Sequence, residues 1–346
     1  MHCCGFVHWV SPRRQAYRIA VVMDRVCIVV PAFNDWESAK QLLIQLGTVG
    51  RENAIRYRVI VVDDGSTLPL PDALVDVRYP FVDSLKIVRL ACNLGHQRAI
   101  AVGLVVSREE IDSCSSVIVM DVDGEDLPSD VPNLIAASAR HPDSVICARR
   151  ARRSEPFVFR AFYVLYKFVF VKLTGIEIDF GNFCLIPKSA LRTVASQAGI
   201  WNHLAATLTR SRVPLLKIDT VRGHRYAGQS TMNFVSLVLH GLSAIAVYAD
   251  VVLVRLVLMA VFIAGCAIAG MVATVALRFM TNLAIPGWAS GVVGTLSIIL
   301  FQAILIPAIG VFVILSSRTA RTVVPLVDAK DFVESVRSAH VRSTAA

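Results

Sequence analysis

The sequence lacks the cysteine patterns that hold zinc ions. Its eight cysteines form no CxxC pair and no spacing typical of a zinc site. We expect no secretion signal either, because the apolar patch GFVHWV near the amino terminus is too short and no basic segment precedes it. We therefore expect free, mostly buried cysteines in a reducing compartment.

Hydrophobic residues are what the sequence has in excess. They make up 55% of the 346 residues, against roughly 45–50% in an average soluble domain. The excess lies in two nearly unbroken apolar runs, 251–277 and 288–315, each longer than the roughly 20 residues that cross a membrane. Two buried core helices are the alternative, although such helices rarely stay apolar on all sides for this length. We expect two transmembrane helices.

Basic residues predict how these spans are oriented. The connector 278–287 contains only Arg278, whereas five lysines or arginines follow Leu315 and the region before the first span is basic too. We therefore expect an integral membrane protein with both termini in the cytoplasm. The expected division of the chain is an amino-terminal tail (1–24), a cytoplasmic domain (25–232), a juxtamembrane helix (233–250), two spans (251–277 and 288–315) and a cytoplasmic tail (316–346).

The region from residue 25 to residue 189 predicts a mostly parallel α/β sheet. Short β-branched runs alternate there with helical segments, a pattern typical of strands whose connecting helices cover both faces. Ligands bind at the carboxyl ends of the strands in such sheets. A polar cluster follows each of the first four strands, at 31–35, 63–67, 93–97 and 121–126. We expect these four clusters to form one site.

The fourth cluster carries the most charge. The stretch VIVMDVDGEDLP (117–128) leads from an apolar strand into four carboxylates, those of Asp121, Asp123, Glu125 and Asp126. Burying four acids together costs free energy unless a cation is present. Hard oxygen ligands suit Mg²⁺ or Mn²⁺, which commonly share substrate phosphates. Taken alone, the pattern is also that of a solvated acidic turn.

The other three clusters offer groups suited to a nucleotide. PAFND (31–35) ends its strand at a proline and frees backbone groups to contact a flat base. DDGS (63–66) contains a glycine that permits a tight turn. Asn93 and Gly95 stand at the start of a helix whose N–H groups can approach phosphate.

Two segments after the fifth strand each allow two interpretations. The aromatic and basic residues of 155–175 surround a helix, which suits either a membrane interface or a core helix between subdomains. The arginines of RRARRSE (149–155) serve either substrate phosphates or the attraction to anionic lipid.

In this order the motifs resemble those of the family 2 glycosyltransferases. They are most similar to the polyprenyl-phosphate branch, which includes dolichol-phosphate mannose synthase and bacterial enzymes acting on undecaprenyl phosphate. The resemblance covers about residues 25–317. It implies the GT-A fold, with a Rossmann-like, mostly parallel cytoplasmic domain followed by two transmembrane α-helices. It also implies metal-dependent, inverting transfer of a sugar from a nucleotide-diphosphate donor to a polyprenyl phosphate at the cytoplasmic membrane face.

The resemblance implies roles for individual residues as well. Asp123 and Glu125 match the ligands for Mg²⁺ or Mn²⁺, and Glu125 replaces a glutamine that is usual in the family. Asp121, Asp123 and Arg225 are the expected catalytic residues. The residues expected to bind the substrates are Pro31, Ala32, Phe33, Asp35, Asp63, Asp64, Asn93, Gly95, Arg149, Arg152, Arg222, Gly228 and Ser230.

Two loops near the end of the domain complete the resemblance. RGHRYAGQSTM (222–232) matches the family's R-x-x-G-x-S-K loop except at Thr231, and an arginine beside a glycine-rich turn and a serine hydroxyl makes a phosphate clamp. DFGNF (179–183) offers Asn182, which cannot act as a general base. A lipid phosphate is already anionic and needs none, so Asp179 remains a spare carboxylate.

Two alternatives to this function stay open. A processive polysaccharide synthase of the same fold would carry Gln-x-x-Arg-Trp, but QAGIW (197–201) has Ile200 at the arginine position. A non-catalytic membrane scaffold or sugar-lipid binding subunit would be expected to lack Asp123. The expected partners are the nucleotide sugar, the polyprenyl phosphate, the membrane and a second copy of the chain packed through glycine and alanine of the spans, with no nucleic acid.

Overall fold

The computed structural model describes residues 25–150, 167–227, 234–281 and 287–340. Within them lies one eight-stranded sheet of order β7-β5-β6-β4-β1-β2-β3-β8. Strands β1 to β5 and β7 are parallel, whereas β6 and β8 run in the opposite direction. The strands are β1 Arg25–Ala32, β2 Arg56–Asp63, β3 Val82–Leu90, β4 Ser116–Val119, β5 Val145–Arg150, β6 Cys184–Pro187, β7 Leu215–Thr220 and β8 Val333–His340.

Helices cover both faces of this sheet. Helices α1 (Trp36–Asn53) and α4 (Val131–Arg140) pack on one face, and α3 (His96–Ser107) packs on the other with helices Lys188–Ala195 and Leu204–Arg210. The remaining short helical turns are α2 (Asp72–Val75), Ile111–Ser113, Pro128–Asp130, Ala198–Trp201, Pro325–Asp328 and Ala329–Phe332. The predicted mostly parallel α/β class is confirmed.

Strand β1 shows why the apolar runs of the sequence form this core. Its side chains alternate between the two faces, so that Ile28 enters the core under α1 while Val29 enters the core under α3. Gly103 of α3 lies against Val29, and an added Cβ there would come within 2.3 Å of the valine side chain. The glycine therefore lets α3 pack closely on the sheet.

Four of the described cysteines are buried and free, as expected from their spacing. They are Cys27, Cys114, Cys147 and Cys184, whereas Cys92 and Cys266 are exposed. Residues 1–24 lie outside the described part of the chain, as do residues 155–166 of the aromatic segment. Of its remainder, residues 167–174 are helical, with Phe170 buried against Tyr248 and Phe168 exposed. One side of this helix therefore packs on the protein and another faces outward.

Two long apolar helices follow the domain. A surface helix (Phe234–Ala246) leads into the first long helix (Ala249–Met280), which packs against the second (Trp288–Thr319). Both are long and apolar enough to cross a membrane. Their side chains point away from the protein, with Phe262 71% and Phe312 72% exposed. That exposure excludes the alternative of two buried core helices.

The segment after the second long helix differs from the expected simple tail. Its strand β8 pairs antiparallel with β3 and forms the edge of the sheet. VESVRSAH carries too weak an alternation of polar and apolar residues to predict a strand from the sequence alone. Because β8 and β3 share one sheet, the chain returns to the domain it left before the two helices.

Candidate functional site

One large pocket lies at the carboxyl ends of the first four strands. The loops after β1, β3 and β4 line it together with Asp64 from the end of β2. Residues of the surface helix Phe234–Ala246 and of the helical residues 167–174 form its other wall. The structure thus brings the four polar clusters together, beside helices that lead to the apolar pair.

The loops after β1 and β2 are joined by Asn34. Its backbone N–H donates to Ser66 Oγ (2.8 Å), its side-chain N–H donates to Thr67 Oγ1 (3.0 Å), and its Oδ1 accepts from the N–H of Leu68 (2.9 Å). The backbone of Asn34 has φ 55°, a left-handed conformation that asparagine tolerates better than most residues. The flanking Phe33 is 46% exposed at the pocket, as a group that stacks on a base would have to be.

Asp63 and Asp64 are buried, and their carboxylates accept bonds from backbone N–H groups. Asp63 Oδ1 accepts from the N–H of Ser66 (2.8 Å). Asp64 accepts from the N–H groups of Leu94 (2.7 Å) and Gly95 (2.9 Å), which ties the turn after β2 to the start of α3. Burial raises the pKa of Asp64, and these backbone bonds oppose the rise. Both carboxylates therefore organise the loops, and only Asp64 borders the pocket.

Gly65, between these acids and Ser66, allows the same turn to approach the loop after β3. It has φ 71°, and an added Cβ would lie 2.7 Å from the backbone of Cys92 and Asn93. Asn93 thus reaches the pocket on a loop whose position depends on a glycine.

The acidic loop after β4 is closed partly by its own backbone. The N–H of Asp121 donates to Asp126 Oδ2 (3.0 Å), and the N–H of Glu125 donates to Asp123 Oδ1 (2.9 Å). Gly124 has φ 90° and lies against the ring of Tyr226, which an added Cβ would approach to 2.8 Å. The tyrosine hydroxyl donates to Gln45 Oε1 on α1 (2.9 Å), which holds the ring in place.

Arginines from residues 222–226 neutralise this acidic loop. Arg225 contacts Asp123 Oδ2 (2.7 Å) and Glu125 Oε1 (3.3 Å), and Arg222 contacts the same Oε1 (2.7 Å). The backbones are bonded too, with N–H groups of Gly223 and Tyr226 donating to the carbonyls of Glu125 (2.9 Å) and Asp123 (2.8 Å). The expected metal ligands and the expected phosphate clamp therefore contact each other.

The donor chemistry of the acidic loop fits a hard divalent cation. Asp123 and Glu125 both contact Arg225. Burial, with a smaller contribution from Asp121, raises the pKa of Asp123, so a cation at this position would favour its ionised form. No group of three or more His, Cys, Asp or Glu side chains in the described ranges is arranged to hold a metal ion, and this includes the acidic loop. The two carboxylates are thus the residues that could hold Mg²⁺ or Mn²⁺, in competition with Arg225.

His96, at the start of α3, lines the pocket and is not among the residues predicted from the sequence. Its Nε2 lies 3.2 Å from Asp121 Oδ1 and 3.0 Å from Asn182 Nδ2. Burial lowers its pKa, but Asp121 and then Asp126 and Asp64 outweigh burial, so that the pKa is raised overall. The feature of the sequence that could have identified it is its position beside Asn93 and Gly95, at the start of a predicted helix.

Gln97 holds Asn182 and the next helix in place. Its Nε2 donates to Asn182 Oδ1 (3.0 Å), and its Oε1 accepts from the N–H of Leu204 (2.7 Å). Asn182 borders the pocket, with its amide oxygen already bonded. Nothing in the local sequence reveals this pairing, since the two residues are 85 positions apart.

Asp179 and Arg149 form an ion-pair cluster at the side of the pocket. Asp179 contacts Lys217 (2.5 Å) and Arg149 (3.6 Å), and Arg149 also contacts Asp219 (2.7 Å). Although burial raises the pKa of Asp179, Lys217 and Arg149 lower it further, so this carboxylate is a weak base. Arg152, Gly228 and Ser230 lie outside the described residues, and their expected roles stay predictions.

A pair of histidines joins the surface helix to the domain. His203 Nε2 lies 3.2 Å from His240 Nε2, and the His203 ring also caps helix Leu204–Arg210 by accepting from the N–H of Ala206 (3.3 Å). Burial, reinforced by His240, lowers the pKa of His203 to about 3. Both residues line the pocket, and the sequence contained no signal for their contact.

Comparison with known proteins supplies relatives for the domain. Residues 27–195 match the family model described as glycosyl transferase family 2. The undecaprenyl-phosphate 4-deoxy-4-formamido-L-arabinose transferases of Photorhabdus laumondii and Proteus mirabilis are 25% and 26% identical to this chain, over 62% and 82% of its length. The corresponding Pseudomonas fluorescens protein is 30% identical over 38% of the chain. The chain spans 37% of the Pseudomonas relative, 65% of the Photorhabdus relative and 84% of the Proteus relative.

Solved structures with a similar arrangement have lower identity. Glucosyl-3-phosphoglycerate synthase from Mycobacterium tuberculosis, in complex with Mn²⁺ and UDP-glucose, has a TM-score of 0.45 and 14% identity, over 66% of this chain and 79% of that one. TarS 1–349 from S. aureus, in complex with UDP-GlcNAc, has a TM-score of 0.41 and 16% identity, over 81% of each chain.

Proposed function

We propose that this protein, whose residues 27–195 match the model of glycosyl transferase family 2, transfers a sugar from a nucleotide-diphosphate donor to a polyprenyl phosphate at a membrane surface. The observation that carries this proposal is the composition of the pocket. One side of the pocket is formed by the carboxylates that follow β4 and the arginines that follow β7. The other side is formed by a surface helix that leads into the first long apolar helix. The names of the curated relatives support the same lipid acceptor.

The donor would lie across the loops after β1, β2 and β3. Phe33 offers an exposed ring for the base. Asn34 and Asp64 join the neighbouring loops by hydrogen bonds and so fix their positions. The start of α3, where Asn93 and Gly95 lie, faces the pocket and can approach the diphosphate.

The diphosphate would bind beside the acidic loop, where a metal ion and two arginines would supply positive charge. Asp123 and Glu125 would hold Mg²⁺ or Mn²⁺, which when bound would stabilise the departing nucleoside diphosphate. Arg222 and Arg225, which contact these carboxylates, would bind phosphate oxygens of the donor.

The acceptor would approach from the surface helix, and its phosphate would attack the anomeric carbon directly, inverting its configuration. Such an acceptor needs no carboxylate base, and the pocket is consistent with this. Asn182 is bonded to Gln97, and Asp179 is paired with Lys217, so neither would serve as a base. His96 would remain to orient the acceptor or hold a proton near Asp121.

The membrane arrangement that we propose is a hairpin of two spans with the domain and the carboxyl-terminal segment both in the cytoplasm. Pairing of β8 with β3 supports it, since the chain must return to the side of the membrane where the domain lies. The excess of basic residues after Leu315 over the connector also supports it.

The processive-synthase alternative receives no support from the residue that distinguishes it. Ile200, at the position where such enzymes carry arginine, is fully buried in the core beside α3. An arginine could not occupy that position without burying an unpaired charge.

The test is transfer by the purified protein in detergent with Mn²⁺ and undecaprenyl phosphate. Radiolabelled nucleotide sugars are offered one at a time, and label is followed into the organic phase. We expect one donor to label the lipid and Asp123→Ala to abolish this, by at least about 100-fold. Glu52→Ala, an exposed acid at the far end of α1, is the control and should retain full transfer. Nucleotide binding without transfer from any donor would instead favour the scaffold alternative.

A further inference from the structure

The carboxyl-terminal strand reaches the turn after β2 through a chain of polar contacts. Arg89 of β3 uses all three of its guanidinium nitrogens: Nε donates to Glu334 Oε2 (2.9 Å), one terminal nitrogen contacts Asp63 Oδ2 (3.4 Å), and the other donates to the carbonyl of Ser66 (3.3 Å). Glu334, on β8, is thus 245 positions in the sequence from Arg89, to which it is bonded.

We propose that Glu334 is a positioning residue for the nucleotide, acting through Arg89 on the turn after β2. This rests on the proposed function, because it takes that turn to be part of the donor site. The contacts continue into the pocket, since Ser66 Oγ accepts from the N–H of Asn34, whose neighbour Phe33 faces the donor. A carboxylate that follows both apolar helices in the chain therefore helps to set the donor loops.

A local irregularity of the sheet aims Glu334 at this arginine. In the register of β3 and β8, Leu90 pairs with Val333 and Arg89 pairs with Ser335, so Glu334 is the extra residue of a β-bulge. Bulges turn a side chain away from its regular direction and are common next to binding sites. A regular ladder would have directed residue 334 to a cross-strand partner instead.

The strand that carries Glu334 is anchored on the domain by neighbouring contacts. The N–H of Ala91 donates to the carbonyl of Phe332 (3.0 Å), and the Phe332 ring packs on Trp201 with 5.1 Å between ring centres. Arg98 of α3 lies over the same tryptophan. Removing the Glu334 carboxylate should therefore leave β8 in place, which separates positioning from folding.

The experiment measures the Kd of nucleoside diphosphates for the full-length protein in detergent with Mn²⁺, by calorimetry. UDP, GDP, CDP and ADP are tried on the wild type, and the tightest is kept as the probe. Glu334→Ala should weaken its binding about 2- to 5-fold, the range of an exposed ion pair, and Arg89→Ala about 10-fold. The KM for the corresponding sugar nucleotide should rise by the same factors with kcat unchanged.

A double variant identifies the route of the effect. Because Glu334 acts through Arg89, the combination of Glu334→Ala with Arg89→Ala should bind the probe no more weakly than Arg89→Ala alone. Glu334→Gln, whose amide oxygen can still accept from Nε, should recover part of the loss. Arg337→Ala, which removes a charge from the regular part of β8 opposite Ile87, is the control and should bind as the wild type does.

The outcomes distinguish this inference from the function on which it rests. Wild-type binding by Glu334→Ala, or fully additive losses in the double variant, would overturn the positioning role and leave the proposed function intact. A wild type that binds none of the four diphosphates would overturn the proposed function and the positioning role together. Equal losses of affinity in Glu334→Ala and Arg337→Ala would show a general effect of β8 and would also overturn the positioning role of Glu334.

Discussion

Two acidic turns border the same pocket, and they are neutralised by different means. Asp64, after β2, is covered by backbone N–H groups at the start of α3, and Asp63, the last residue of β2, is covered by the N–H of Ser66 together with Arg89 of β3. Asp123 and Glu125, after β4, are covered mainly by the side chains of Arg222 and Arg225 from another part of the chain. The first arrangement cannot be exchanged without unfolding the loops, whereas the second can exchange its arginines for another cation.

This difference assigns structure to one turn and chemistry to the other. A carboxylate whose bonds go to fixed backbone groups orders the loop around it. One that is paired with flexible arginines can release them to substrate phosphate when a metal ion arrives. We therefore expect substitutions in the turn after β2 to lower the stability of the protein, and substitutions in the loop after β4 to change its affinity for a metal ion.

The largest expected effect on stability is that of Asp64→Ala. It leaves the N–H groups of Leu94 and Gly95 without their acceptor near a buried turn, which should lower the free energy of unfolding by about 2–3 kcal/mol. Asp123→Ala should cost less, about 1 kcal/mol, since it leaves a single N–H group, that of Glu125, without its acceptor, while Arg225 keeps Glu125 as a partner. Urea unfolding in detergent, followed by circular dichroism, measures both.

An exposed acid provides the control for this pair. Asp76→Ala, at the end of α2, should unfold as the wild type does. Equal destabilisation by Asp64→Ala and Asp123→Ala would break the comparison, because the acidic loop after β4 would then be as structural as the turn after β2.

How far the sequence predicts these turns depends on how local their contacts are. The strand ends, their polar clusters and the two apolar helices could be predicted, because each is encoded in a short stretch of periodic or apolar residues. The contact of Arg225 with Asp123 could not, since it joins residues 102 positions apart and depends on how the chain returns after β7. The same holds for Glu334 on β8, an edge strand without an apolar face pattern.

Residues near the pocket illustrate the same limit. His96 stood beside predicted residues, yet its role depends on Asp121 from a different strand. The contact between His203 and His240 depends on the surface helix folding back on the domain. The type and order of the motifs predicted where the pocket lies. The contacts between its residues depend on the tertiary structure and could not be predicted.

A smaller effect is expected for metal binding by Arg225→Ala. Removing this cation from Asp123 and Glu125 should strengthen the binding of Mn²⁺ alone, without nucleotide, about 3- to 10-fold, because the metal no longer competes with a guanidinium. Electron paramagnetic resonance of free Mn²⁺ gives the affinity without any transfer reaction.

The exposed Arg192 is the matched control for this measurement. It lies on helix Lys188–Ala195, and Arg192→Ala should leave the affinity for Mn²⁺ unchanged. If Arg225→Ala bound Mn²⁺ more weakly than the wild type, the arginine would be supporting the metal site, and the idea of exchange at this loop would be wrong.

The smallest expected effect is the pH dependence contributed by His96. Burial lowers its pKa, but Asp121 and then Asp126 and Asp64 raise it further, so the folded protein holds this proton more tightly than the unfolded chain does. The resulting stabilisation is fully present below the unfolded pKa of about 6.5 and is lost as the pH rises through the higher folded pKa. Because the side chain is 45% exposed, solvent screening should keep it below about 1 kcal/mol. The difference in unfolding free energy between wild type and His96→Gln should therefore be larger at pH 6 than at pH 9, and a difference that grew with pH would show that His96 acts in its neutral form.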